Sequence, residues 1–239
     1  MERLDKILAG TGRWSRREVK ELVRQGRVRV DGQTARTAEE KVDPEAAAIT
    51  VDGQPVETER FTYVMLHKPA GVLSATEDSR QQTVLDLLPP ELRRRSLSPV
   101  GRLDKDTEGL LLTNDGLLAH RLLAPRSHVD KVYYARVEGA LEPADAAAFA
   151  AGMTLGDGLE CLPAGLEILS PGECLVTLRE GKFHQVKRMF HAVGKEVIHL
   201  RRLSIGSLSL DPSLKPGEAR LLSEEEQAKI FEPEGEKGV

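Results

Sequence analysis

The sequence predicts an α+β protein in two parts: a small N-terminal module, and a larger one with a mainly antiparallel central sheet flanked by helices. Three observations predict it. Segments of helical apolar spacing and of strand-like alternation are interspersed without βαβ regularity. No repeat recurs at a fixed period. Hydrophobic residues make up 40% and charged residues 30% of 239, too apolar for a disordered chain and sufficient for a buried core.

Leu4, Ile7 and Leu8 stand at i, i+3 and i+4, and after the breaker Gly10-Thr11-Gly12 the spacing recurs at Val19, Leu22 and Val23, so two short helices are expected. Ser15 with Glu18 three residues on is a capping box, and Trp14 with Val19 fits a hydrophobic staple, which starts the second helix at Ser15. Gly26 stops it in a left-handed conformation. Arg27 to Val30 then alternates as a half-buried strand into the turn Asp31-Gly32, and Ile49-Thr50-Val51 ends in a matching Asp52-Gly53. The polar stretch between Pro55 and Thr62 reads as a linker, which gives domains over 1–58 and 59–239.

In the second domain Tyr63 to Leu66 is a strand stopped by Lys68-Pro69-Ala70-Gly71, and Thr83 to Leu88 is a short helix broken by Pro89-Pro90. Leu110-Leu111-Leu112 is a buried apolar run. Val132 to Val137 and Cys174 to Leu178 alternate as strands, while Pro143 to Gly152 and Gln185 to Val193 read as helices. Residues 218–239 carry seven Glu against Arg220, Lys229 and Lys237 and end in EPEGEKGV. They are expected to be solvated and frayed, with a flexible tail from about residue 232.

The formal net charge of −4 argues against a nucleic-acid partner only when taken whole. Residues 1–36 hold ten basic against five acidic side chains, and residues 179–202 hold seven against two, so each stretch carries +5. In the first, Arg13, Arg16, Arg17, Lys20 and Arg27 are expected to face outward as a stripe that attracts phosphates whatever their sequence. The competing reading is an ordinary solvated helical face. No apolar run approaches the ~20 residues of a membrane span, and the N-terminus lacks the apolar stretch of a signal peptide, so a cytoplasmic protein is expected. Cys161 and Cys174 show no CxxC and no histidine at ligand spacing, and read as free thiols.

The order of residues narrows the choice. RLDKILAGTGRWSRREVKELVRQGRVRVDG resembles the S4 RNA-binding domain over about residues 1–50, through its opening R-L-D, the S-R-R-E of the second helix and the closing Q-G-x-V-x-V-D-G. The resemblance implies that Arg3, Lys6, Arg13, Arg16, Arg17, Lys20 and Arg27 grip structured RNA. Gly101-Arg102-Leu103-Asp104-Lys105-Asp106-Thr107-Glu108-Gly109-Leu110-Leu111 is similar to the G-R-L-D-x-x-T-x-G-L-L signature of pseudouridine synthases. Lys131-Val132-Tyr133 resembles that family's K-x-Y motif, and Glu180 to Phe190 its E-G-x-x-H-Q-V-[KR]-R-M-F motif. The strings LHKPAG at 66–71 and HRLLAPRSH at 120–128 resemble the RsuA-type branch, in which an S4 domain precedes the catalytic domain and the substrate is 16S rRNA.

The resemblance implies an isomerase that detaches uracil from its ribose, turns it and rejoins it through carbon, with no cofactor and no metal. Asp104 would be the nucleophile, since carboxylates serve as covalent nucleophiles at sugar carbons; attack on the ribose or on the ring both remain open. Lys187 would pair with it, and Tyr133 would cover the face of a uracil extruded from the RNA. Arg102 would hold the backbone or fill the vacated space, with Lys182 and Arg188 in the second basic cluster. Taken singly, Asp104 could be a helix cap, Lys187 an exposed helical lysine and Tyr133 a half-buried strand tyrosine. Two departures from the family pattern, His67 where Asn is usual and Lys105-Asp106 after the aspartate, are expected not to touch the chemistry. The expected partner is 16S rRNA or a small-subunit assembly intermediate, met by a monomer. The alternatives are a 23S rRNA pseudouridine synthase and a non-catalytic S4-type assembly factor.

Overall fold

The computed structural model describes residues 1–231 apart from 45, 57, 59, 60 and 94. The tail expected from residue 232 lies outside the described residues. The chain divides into two compact units, one of residues 1–62 with 88–98 and one of residues 63–87 with 99–239. The segment 88–98, which the sequence reading left in the second domain, belongs to the first unit.

In the first unit the helices Leu4–Gly10 and Arg16–Arg24 pack beside a sheet with strand order Gln33–Thr34, Val28–Val30, Ile49–Val51, Gln54–Pro55. The cap at Ser15 is reciprocal. Glu18 N–H donates to Ser15 Oγ at 3.3 Å and Ser15 N–H donates to Glu18 Oε2 at 2.6 Å. Leu4, Leu8, Val19 and Val28 are fully buried, and Trp14 packs at the edge of the cluster they form. Both Asp-Gly pairs turn their hairpins with two consecutive positive φ angles, 49° and 77° at Asp31-Gly32 and 53° and 77° at Asp52-Gly53. That is the backbone twist the flanking strands require.

The second unit is built on two antiparallel sheets. One is five-stranded, in the order Gly165–Ser170, Glu173–Leu178, Lys131–Val137, Val197–Ile205, Leu208–Ser209. In the other, Tyr63–Leu66 pairs with Ala219–Leu221 on one side and Leu110–Thr113 on the other. The helices Pro143–Ala151 and Gln185–Ala192 meet through the buried rings of Phe149 and Phe190, with centroids 4.8 Å apart. Asp115 caps the helix Gly116–Leu123 by accepting from the N–H groups of Leu117 and Leu118, and also accepts from Tyr63 Oη at 3.0 Å. Burial and that carboxylate push the Tyr63 phenol well above its ordinary pKa. Both cysteines are buried free thiols.

Residues 218–231 correct the frayed-tail expectation. Ala219–Leu221 is a paired strand and Glu224–Phe231 a helix. Counting glutamates over 22 residues missed that Arg220 is clamped between Asp211 at 2.9 Å and Glu226 at 2.7 Å. The Pro89-Pro90 break is also an entry, because Pro90 opens the short helix Pro90–Arg93, where a missing N–H costs nothing.

Candidate active site

Asp104 sits in a loop fixed from several directions by backbone bonds. Its carbonyl accepts from Thr107 N–H at 3.0 Å, Leu103 O accepts from Ser74 Oγ at 2.9 Å, and Lys105 O accepts from Gly71 N–H at 2.8 Å. On another side, Glu108 N–H donates to Leu200 O and Arg202 N–H to Glu108 O, both at 3.0 Å, a parallel bridge onto the Val197–Ile205 strand. Gly109 allows that approach. It holds φ 82°, and a Cβ there would stand 2.4 Å from Arg202 O.

Lys68 lies beneath this loop. It is fully buried, and its ammonium donates to Thr107 O at 2.7 Å, Lys105 O at 2.9 Å and Pro69 O at 3.1 Å. Burial pushes its pKa down to about 8, against the pull of Asp106, Asp104 and Glu108.

Lys187, on the Gln185–Ala192 helix, places Nζ 2.9 Å from Asp104 Oδ2 and also pairs with Asp106. Burial lowers its pKa, but the two carboxylates outweigh that and the net shift is upward. For Asp106 burial acts upward and Lys187 overcomes it, so that carboxyl is held below its usual range. Asp106 therefore touches the machinery, contrary to the expectation for that departure. His67 does so at one remove. Its Nε2 lies 3.3 Å from Glu108 Oε2, with His199 Nε2 3.2 Å from Glu108 Oε1, so the loop carboxylate is held between two imidazoles.

Tyr133, 9% exposed, stands on the Lys131–Val137 strand opposite Arg202. Burial raises its phenol pKa while the nearby positive charge of Arg202, itself buried, opposes the rise. Arg102, Asp104, Thr107, Tyr133, Lys182 and His184 are among the residues lining an open pocket. Arg102 is exposed there. The pocket thus brings together four of the residues expected from sequence, Arg102, Asp104, Tyr133 and Lys182, with Lys187 bonded behind the aspartate.

Other expected contacts are partly spoken for. Lys182 pairs with Glu180 at 3.0 Å and donates to Glu160 O, and Arg188 pairs with Asp157. In the first unit Arg3 pairs with Asp5 and Glu39, Lys6 with Glu2, and Lys20 with Glu39. Arg27 is exposed and held bidentately by the equally exposed Asp52. Arg13, Arg16 and Arg17 are exposed and form no ion pair among the described residues.

Sequence reasoning missed Lys68, Thr107, His184 and Arg202. Lys68, Thr107 and His184 lie in quoted strings and Arg202 ends the second basic stretch, but nothing in a string shows that a lysine or arginine is buried. Among the described residues no group of three or more His, Cys, Asp or Glu could hold a metal ion, and no helix is long and apolar enough to cross a membrane.

A family profile described as RNA pseudouridylate synthase matches residues 62–192, and an S4 domain profile matches residues 2–47. An uncharacterized RNA pseudouridine synthase of Bacillus subtilis is 52% identical over 237 residues, 97% of this chain and 99% of that protein. The ribosomal small subunit pseudouridine synthase A of Escherichia coli K12 is 41% identical over 231 residues, 95% of this chain and 99% of that protein. A crystal structure of a pseudouridylate synthase superposes with a TM-score of 0.68 at 34% identity, covering 96% of this chain and all of that one. The chain belongs to the RNA pseudouridine synthases, isomerases of uridine in RNA, and carries an N-terminal S4 domain.

Proposed function

We propose that this protein converts one uridine of 16S ribosomal RNA to pseudouridine, with the uridine extruded from the RNA and Asp104 as the nucleophile. The observation that carries the reading is Asp104 lining a pocket with Tyr133 while Lys187 holds its other oxygen at 2.9 Å. The small-subunit assignment is supported by several relatives at 41 to 43% identity that are named for it.

The residues divide the work. Extruding the base costs a few kcal/mol of unstacking, and exposed Arg102 at the pocket is placed to hold the strand or fill the gap. Asp104 attacks, Lys187 supplies a counter-charge that follows the carboxylate through the reaction, and Tyr133 covers the detached ring while it turns. Its hydroxyl, buried at the pocket on the strand opposite Arg202, is placed to exchange a proton. In this reading domain 1–58 holds the RNA and domain 59–239 converts it. We also place the protein in the cytoplasm as a monomer acting on 16S rRNA or a small-subunit assembly intermediate, without a cofactor.

Pseudouridine mapping of rRNA from cells lacking the protein tests this directly. The expected result is the loss of one pseudouridine in 16S rRNA, restored by the wild-type gene and not by Asp104→Asn. Loss of a 23S site instead would reassign the substrate, and an intact map would leave an RNA-binding assembly factor. The purified Asp104→Asn protein is expected to bind RNA within a few fold of wild type and to form no pseudouridine.

A further inference from the structure

Phe183 is 75% exposed, although burying an aromatic ring is among the largest apolar gains a side chain can make. Single exposed hydrophobics are common, and exposure alone would mean nothing. This ring, however, is ordered by a neighbour. It stacks on the imidazole of His184, with centroids 3.8 Å apart and planes 19° from parallel. His184 holds a left-handed backbone, φ 49°, a conformation costly for a residue with a Cβ, and it precedes the Gln185–Ala192 helix without making a side-chain cap bond. The strained residue instead points its Nε2 to 3.4 Å from Asp104 Oδ1.

The result is a short stack that starts at the nucleophile and ends in solvent. Lys182 and His184, on either side of Phe183 in the chain, both line the pocket. One face of the Phe183 ring is covered by His184 and the rest of the side chain is open to water. A flat π surface beside a pocket for one nucleoside matches the chemistry of a nucleobase, and aromatic side chains hold unpaired bases in this manner. A nucleotide extruded into the pocket brings its chain neighbours, unstacked on one side, to the rim.

We propose that Phe183 is the stacking platform for the base adjacent to the uridine held at Asp104, a contact that sets which RNA context binds well. The inference rests on the pseudouridine synthase reading of the pocket but not on which ribosomal subunit supplies the RNA. Phe183 is not a catalytic residue in this scheme, because it touches no reacting atom.

The test uses the full chain and an RNA hairpin of about 20 nucleotides around the converted uridine, whichever rRNA contains it, with 2-aminopurine replacing one flanking nucleotide at a time. In the Asp104→Asn background, binding is expected to quench the probe at one flanking position, and adding Phe183→Leu is expected to abolish that quenching. With Asp104 intact, Phe183→Leu is expected to raise KM about tenfold, within the range for loss of one base–aromatic stack, with kcat changed less than twofold. Phe183→Trp is expected to restore both signals. Quenching that survives Phe183→Leu, or an unchanged KM, overturns the proposal. Because the wild-type protein is assayed on the same RNA, conversion by wild type with no effect of Phe183→Leu removes the platform and leaves the proposed function intact.

Discussion

Lys187 divides one ammonium between Asp104 and Asp106, so Asp104 competes for its counter-charge with a neighbour two residues away. Thr107 is the other informative residue of the loop. It is 1% exposed, and its hydroxyl finds no hydrogen-bond partner among the described residues. Thr107→Val keeps the β-branched shape and removes an unpaired buried oxygen, so it is expected to leave stability unchanged or to raise it by about 1 kcal/mol. Calorimetry decides: a loss of more than ~1 kcal/mol would mean that the hydroxyl is satisfied in the folded protein. That Asp104, Tyr133 and Lys187 come together was legible in the sequence because their chemical types stand in ordered motifs. Thr107 stood in the motif of Asp104 and Lys68 in the LHKPAG string, but their importance comes from burial and from three backbone carbonyls, which no string displays.

At the scale of the element, local chemistry was legible wherever it closed on itself. The Ser15 and Glu18 cap and the two Asp-Gly turns are decided within four residues, and they form as expected. The C-terminal strand and helix depend on partners far away in sequence. Arg220 bonds Asp211 and Glu226 while its strand pairs with Tyr63–Leu66, so glutamate-rich composition misread an ordered segment. Hydrogen bonds from the Ser213 hydroxyl and amide, with Arg220, hold the Asp211 carboxyl down to about 2, and Arg220 foremost holds Glu226 down to about 2. Carboxyls lowered on folding stabilise above their unfolded pKa values and lose that contribution as pH falls through the folded ones. Amide exchange protection of residues 224–231 is therefore expected to be steady above about pH 4.5 and to fall toward pH 2. Arg220→Met is expected to lower that protection already at neutral pH. Equal protection in the variant would show that apolar packing alone seats the helix.

For the whole molecule, the net charge of −4 describes solubility, and the placement of charge describes the partner. The structure refines that arithmetic. Of the cations in the first unit, Arg3, Lys6, Lys20 and Arg27 are engaged by acids, whereas exposed Arg13, Arg16 and Arg17 are not in ion pairs among the described residues. Replacing these three by Gln is expected to flatten the salt dependence of RNA binding by up to ~0.9 per lost phosphate contact, without altering the folded core. Titrations between about 50 and 200 mM salt measure it, and an unchanged slope would place the RNA elsewhere. The two-part organisation was legible from the change in pattern near residue 60. The allegiance of 88–98 to the first unit was not, because contiguity is the only guide a sequence offers.

The buried amine of Lys68, tied to the carbonyls of residues 69, 105 and 107, has a consequence for how adaptation is shared between enzyme and substrate. A loop anchored from below by an ammonium and from the side by the Glu108 bridge cannot swing toward its target without stranding a charge in the interior. Asp104 is thus a fixed anvil. In the proposed reaction deformation then falls on the RNA, which leaves its own stack and comes to the carboxylate, so discrimination among uridines is exercised through how readily each stretch of RNA yields.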